Sequence, residues 1–245
     1  MPDMGSDVSY LESLRENAPA LAAAARAAGL DAAVPPCPDW DVEKLVRHIG
    51  RVQTSCGAVV RARGKVDFEG LPAMPKGDGC IDAFEERAAE LIAALEALPE
   101  DEPIWNWFGI DPPIPGFYHR RMAQELAVHR WDAQAAAGAP APIDTALAAD
   151  GIDEVLAGFL AFDAESGDLG GSLHLHATDT ESEWVIRNDE GGRLVATQGH
   201  EKADAAARGT ASDLLLFLWN RVPASALDVV GDAAVANRWA EVMKF

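Results

Sequence analysis

Residues 124–134 read QELAVHRWDAQ and set Glu125 and His129 four positions apart in a segment with a helical pattern. At 3.6 residues per turn, that spacing stacks both side chains on one face, a turn apart. Met122, Leu126 and Ala133 form an apolar stripe around them, so the carboxylate and the imidazole face a core. A carboxylate in that setting is costly unless it is paired or bound to a cation. A second helical pattern upstream has its stripe at Leu45, Ile49 and Val52, with His48 inside it. In an antiparallel bundle two such stripes can meet across the core, which makes His48, Glu125 and His129 a candidate three-ligand set. Three protein ligands leave one position for water or substrate, the arrangement of a catalytic zinc site. The same spacing also suits a surface or structural pair, and the residues alone leave both readings open.

Outward from this segment, the first two-thirds of the chain read as helices separated by Pro- and Gly-rich connections. One helix runs through DVSYLESLRENAPALAAAARAAG and ends at Gly29. The prolines of LDAAVPPCPDW cannot continue it, and Asp41 stands where the N-cap of the His48 helix belongs. CIDAFEERAAELIAALEAL is a third helix, FYHRRMAQELAVHRWDAQAAAG a fourth and DTALAADGIDEVLAGFLAFDAE a fifth. Beyond SGDLGG the pattern changes. SLHLHATDT alternates as a half-buried strand does, and EWVIRNDEGGRLVATQG reads as a hairpin around NDEGG. KADAAARG and ALDVVGD are short strands, TASDLLLFLWNRV a capped helix, and AAVANRWAEVMKF a closing helix. The expected fold class is α+β: a four- or five-helix bundle over residues 1–166, then a small α+β domain over 167–245.

Composition narrows the function classes. The 245 residues are 49% hydrophobic, enough to bury a proper core. The formal net charge of −20 repels phosphate backbones and anionic membranes, so neither nucleic acid nor a membrane is an expected partner. Cys37, Cys56 and Cys80 form no CxxC pair and are odd in number, which fits a reducing cytoplasm. Cys37 has the chemistry of a nucleophile but reads better as an inert small hydrophobe. The N-terminal MPDMGSDVSY lacks the apolar core of a secretory signal. Nucleotide-binding loops, HExxH and GxSxG are all missing from the sequence.

Two segments carry a resemblance to a known family. CPDWDVEKLVRHIGRVQ, residues 37–53, and RRMAQELAVHRWDAQAAAG, residues 120–138, resemble the metal segments of the mycothiol-dependent maleylpyruvate isomerase family. That family lies within the DinB-like superfamily. GTASDLLLFLWNRVPASALDVVGD resembles its small C-terminal domain, similar to sterol-carrier folds. The resemblance covers nearly the whole chain in the same order. It implies that His48, Glu125 and His129 hold a divalent metal, usually zinc, and that a low-molecular-weight thiol such as mycothiol is the cosubstrate. Relatives often carry a further histidine where this chain has Gln53, a departure outside the three ligands.

The expected activity is therefore a thiol-dependent isomerisation or transfer on a small electrophile. A metal-bound thiol gives up its proton near neutral pH and becomes a soft nucleophile. A zinc hydrolase that activates water and a non-catalytic small-ligand-binding protein are the alternatives. Arg120 and Arg121 are candidate clamps for the anionic cosubstrate, and Arg221 matches a catalytic arginine of the named isomerase. Trp105, Trp107 and Phe108 read as loop packing, with the mouth of the site as the other reading. His174 and His176 have a legal metal spacing on one strand face, but no third ligand lies near them in sequence, so hydrogen-bonded histidines are expected. His119 and His200 have no assigned role, and a monomer or homodimer is expected for this bundle class.

Overall fold

The structure is a computed structural model that describes residues 8–107, 109–160 and 167–243. The chain forms two compact units, divided between Ala141 and Pro142. The first contains four helices: α1 Tyr10–Ala28, α2 Val42–Ala62, α3 Gly79–Glu96 and α4 Phe117–Ala136. Helix α1 packs on α3 and α4, and α2 packs on the same two helices, which makes a four-helix bundle. Its core is built from the stripes expected of the sequence: Leu14, Leu21 and Ala25 of α1, Leu45, Ile49 and Val59 of α2, Phe84 and Leu91 of α3, and Leu126 of α4 are all buried. Each such side chain contributes about 1.5–3 kcal/mol when removed from water. Ser9 caps α1 through Glu12 N–H, Gly29 ends it at φ 84°, and Asp41 caps α2.

The second unit contains α5 Thr145–Glu154, continued by a π-helical turn at Val155–Phe159, then β1 Leu173–Ala177, β2 Glu183–Asn188, β3 Leu194–Gln198, β4 Ala205–Gly209, α6 Ala211–Leu218, β5 Asp228–Gly231 and α7 Ala233–Val242. The strands form one sheet in the order β3-β2-β1-β4-β5. β1 runs antiparallel to β2 and parallel to β4, while β3 and β5 pair antiparallel at the two edges. Strand alternation buries Leu173, Leu175 and Ala177 on the face that meets α6, and sends His174 and His176 to the other. Trp239 of α7 is fully buried and donates its indole N–H to Leu218 O at 2.9 Å.

Helix α5, expected within the bundle domain over residues 1–166, groups with the second unit. Helix α5 packs on α6, and Trp184 of β2 donates its indole N–H to Asp153 of α5 at 2.6 Å. The apolar face of α5, Leu147, Ala148 and Ile152, thus finds its partner in the second unit. Helical periodicity shows that a face needs covering but not which neighbour covers it. Residues 161–166 of the expected fifth helix lie outside the described residues. Among the described residues no helix is long and apolar enough to cross a membrane.

Helix α2 positions His48, and its start depends on one side chain. Asp41 Oδ1 accepts the Lys44 N–H at 2.7 Å. Asp41→Ala should lower the urea midpoint of the bundle by the equivalent of about 1 kcal/mol, and Asp41→Ser should restore most of it, since either oxygen can cap.

Candidate metal centre

His48 enters from the second turn of α2, and Glu125 and His129 from adjacent turns of α4. The three converge on one point. Glu125 Oε1 lies 3.4 Å from His48 Nε2 and 3.5 Å from His129 Nε2, and one ligand atom from each residue lies within 4.8 Å of the others. A charge-assisted N–H···O contact is shorter, at about 2.7–2.9 Å. Two ligands about 2.0–2.1 Å from a tetrahedral cation stand roughly 3.3 Å apart. The contacts are long hydrogen bonds whose spacing is close to the edge of such a coordination shell, and the donor set fits zinc. His129 is buried, while the side chains of His48 and Glu125 keep 26% and 21% of their exposure, so the centre is reachable from one side.

The surrounding residues fix this arrangement. Asp132, fully buried one turn on, accepts the His129 Nδ1–H at 2.8 Å, which leaves Nε2 for the centre. A carboxylate behind a ligating histidine sets its tautomer and raises its basicity. Arg121, one turn before Glu125, donates to Glu125 Oε2 at 3.0 Å and leaves Oε1 to the histidines. Trp40 covers both rings, 4.9 Å from His48 and stacked at 6.1 Å on His129 with the planes 12° apart. The CPDW turn holds it there: Cys37 N–H donates to Val34 O, Trp40 N–H to Cys37 O, and Val34 N–H to Trp40 O.

Charge follows from these contacts. Burial works against an ionised Glu125, but hydrogen bonds from His129 and His48 and the charges of His129 and Arg121 hold it well below the usual carboxylate range. Burial likewise opposes a charged His129, yet Asp132 and Glu125 outweigh it and raise the imidazole to about 9. The nearby Cys56 thiol is pushed up by its burial and then by the Glu125 charge, so it stays protonated and outside the three-ligand group.

The other expected site residues lie as follows. Arg121 is turned inward to Glu125 with 4% of its side chain exposed. Arg120 is half-buried on the same helix. Arg221 lies in the second unit, past the end of α6, and its Nη1 donates to Trp219 O at 2.8 Å. Gln53 is buried, with its Oε1 lacking a hydrogen-bond partner. Trp107 packs edge-on against Phe117 and Tyr118, Tyr118 O–H donates to Trp105 O, and Phe108 lies outside the described residues. His119 is fully buried with Nε2 3.0 Å from Leu95 O, a core role that sequence reasoning did not assign. Sequence reasoning also missed Asp132 and Trp40, although each is signalled by position: Asp132 follows His129 by three residues, and Trp40 immediately precedes the α2 cap.

Two outcomes follow from this geometry. Asp132→Asn should weaken zinc binding about 10–100-fold with every ligand retained, measured by competition with a chromophoric chelator. Because a cation must displace the proton that Asp132 and Glu125 keep on His129, zinc affinity should rise about tenfold per pH unit up to about pH 9. In the metal-free protein the sign reverses. The raised His129 adds stability that is fully present below about 6.5 and is lost as pH rises through about 9, which denaturation across that window reads directly.

Comparison with known proteins agrees with this architecture. Residues 11–134 match the family model described as the mycothiol maleylpyruvate isomerase N-terminal domain, and residues 146–238 match the MDMPI C-terminal domain. Among solved structures, the crystal structure of the mycothiol-dependent maleylpyruvate isomerase is similar, with a TM-score of 0.61 at 12% identity over 90% of this chain and 91% of that one. A mutant of that isomerase gives a TM-score of 0.59 at 12% identity over 91% and 93%. No curated protein sequence matches the chain. At this identity the structures show a shared fold, while the two family models together span most of the sequence. The chain belongs to the mycothiol-dependent maleylpyruvate isomerase family.

Proposed function

We propose that this protein is a metal-dependent enzyme that uses a low-molecular-weight thiol, mycothiol or a close analogue, to isomerise or modify a small electrophile. The observation that carries the proposal is the three-donor cluster of His48, Glu125 and His129, spaced as ligands and reachable from one side. Family membership supplies the thiol and the isomerase class. The cation would be held by His48 Nε2, Glu125 Oε1 and His129 Nε2, and when bound it would keep a thiol ionised at neutral pH.

The chain's own residues supply the rest. Asp132 keeps the Nδ1 proton of His129 turned away from the centre, and Arg121 fixes the rotation of Glu125. Trp40 shields the two imidazoles from water on one side, which strengthens the electrostatics among them. Arg120 and Arg121, on the helix that carries Glu125 and His129, are the proposed cosubstrate-binding residues, as planar donors suited to bidentate contact, and the family resemblance assigns Arg221 a catalytic role. A soluble cytoplasmic protein, acting on a small molecule as monomer or homodimer, fits the acidic composition and reduced cysteines.

The test pairs metal content with turnover. Wild type and His129→Ala would be dialysed against zinc, analysed for bound metal, and assayed with mycothiol and maleylpyruvate or a thiol-reactive electrophile. His129→Ala should lose one zinc equivalent per chain relative to wild type, and thiol-dependent turnover should fall by at least about 100-fold. Equal zinc in both proteins would overturn the metal centre. Zinc-dependent turnover that needs no thiol would replace the thiol chemistry with hydrolysis.

A further inference from the structure

The face of the C-terminal sheet opposite α6 carries a second histidine–carboxylate cluster. His174 and His176 alternate along β1 with the buried Leu173, Leu175 and Ala177, so both imidazoles emerge on the face opposite the helices. The antiparallel register sets Glu183, the first residue of β2, directly across from His176. Past the end of β3, Gly199 N–H donates to Glu183 O at 2.7 Å and brings His200 to the same place. His174 Nε2 and His200 Nδ1 both lie 2.6 Å from Glu183 Oε2, and His176 Nδ1 lies 3.4 Å from Oε1. The His174 ring stands nearly perpendicular to the other two, at 87° and 88°.

Three donors from three chain segments thus converge, and His176 flanks them on the same carboxylate. One ligand atom each from His174, Glu183 and His200 lies within 4.8 Å of the others. The composition of the group matters: three imidazoles to one carboxylate is nitrogen-rich, which suits zinc, copper or nickel and not the all-oxygen shells of calcium or magnesium. The imidazoles of His174 and His200 both reach one carboxylate oxygen, which has a lone pair for each, and a divalent cation at that point would take the place of both protons. His174 and Glu183 are anchored on paired strands and mostly buried, whereas 76% of the His200 side chain is exposed. His200 follows Gly199, whose φ of 123° is open to glycine and strained for other residues, so the last donor arrives on an adaptable turn. The neighbouring cation on β4, Arg208, sits across from His176 but is turned to Asp228 at 3.7 Å.

We propose that His174, Glu183 and His200, with His176 as fourth donor, form a second binding site for a zinc-class divalent cation, which ties the turn after β3 to the β1–β2 hairpin. This site shares no residue with the bundle centre, so it is tested with that centre disabled. In full-length His129→Ala protein, zinc titration against a chromophoric competitor should find one remaining equivalent per chain. Adding Glu183→Gln should abolish it, and adding His200→Ala, at an exposed position that leaves the sheet intact, should weaken it at least about tenfold. Zinc should also raise the melting temperature of His129→Ala and leave that of the His129→Ala/Glu183→Gln protein unchanged. No zinc bound by folded His129→Ala protein, or binding unmoved by both added changes, would overturn the proposal. If wild type and His129→Ala instead bind the same single zinc, and Glu183→Gln removes it, the bundle centre fails while this site stands.

Discussion

Glu125 sets the terms for the bundle. It is an ionised carboxylate among apolar neighbours, with 21% of its side chain exposed and its charge strongly favoured by its contacts. Removing the partner from a buried ion costs about 3–5 kcal/mol, so the fold must keep positive or proton-bearing groups around it. Arg121 serves one oxygen and the two histidines serve the other. That division makes the site directional. Arg121 compensates Oε2, and under the proposed metal reading Oε1 would exchange its imidazole neighbours' protons for a cation.

The segments that look irregular in sequence serve the same constraint. The CPDW turn closes on itself through three backbone hydrogen bonds, delivers Asp41 to the start of α2, and lays Trp40 across His48 and His129. Helix start, ring orientation and shielding from water are therefore coupled over a few residues. Losing the cap would leave the Lys44 N–H of α2 unpaired and loosen the turn that precedes His48.

Much of this was legible in the sequence because helical and strand periods are local. The stripes at Leu45, Ile49 and Leu126, the cap at Asp41, the stop at Gly29 and the alternation of LHLH all correspond to observed elements. The α+β class and the order of helices and strands were readable for the same reason. What was not legible depends on contacts between distant segments. The inward contact of Arg121 with Glu125 depends on a rotamer that sequence does not show, and α5 meets Trp184, thirty-one residues after Asp153. His174 and His176 lacked a third ligand in sequence because Glu183 comes from the next strand and His200 from the turn after the one beyond it.

The two histidine–carboxylate clusters differ in a way that bears on their chemistry. In the bundle, the ligand atoms stand 3.4 and 3.5 Å apart, held off one another by rigid helices and by the outer contacts of Asp132 and Arg121. On the sheet, two imidazoles have closed to 2.6 Å on one oxygen, and one of them rides on a glycine-hinged turn. A preorganised shell loses little on taking up a cation and keeps its open side, as catalysis requires. A collapsed shell must open to admit one and gains order when it does, which suits a staple that stabilises the fold. The outer contacts, more than the identity of the ligands, are thus what would set the two proposed sites to different work.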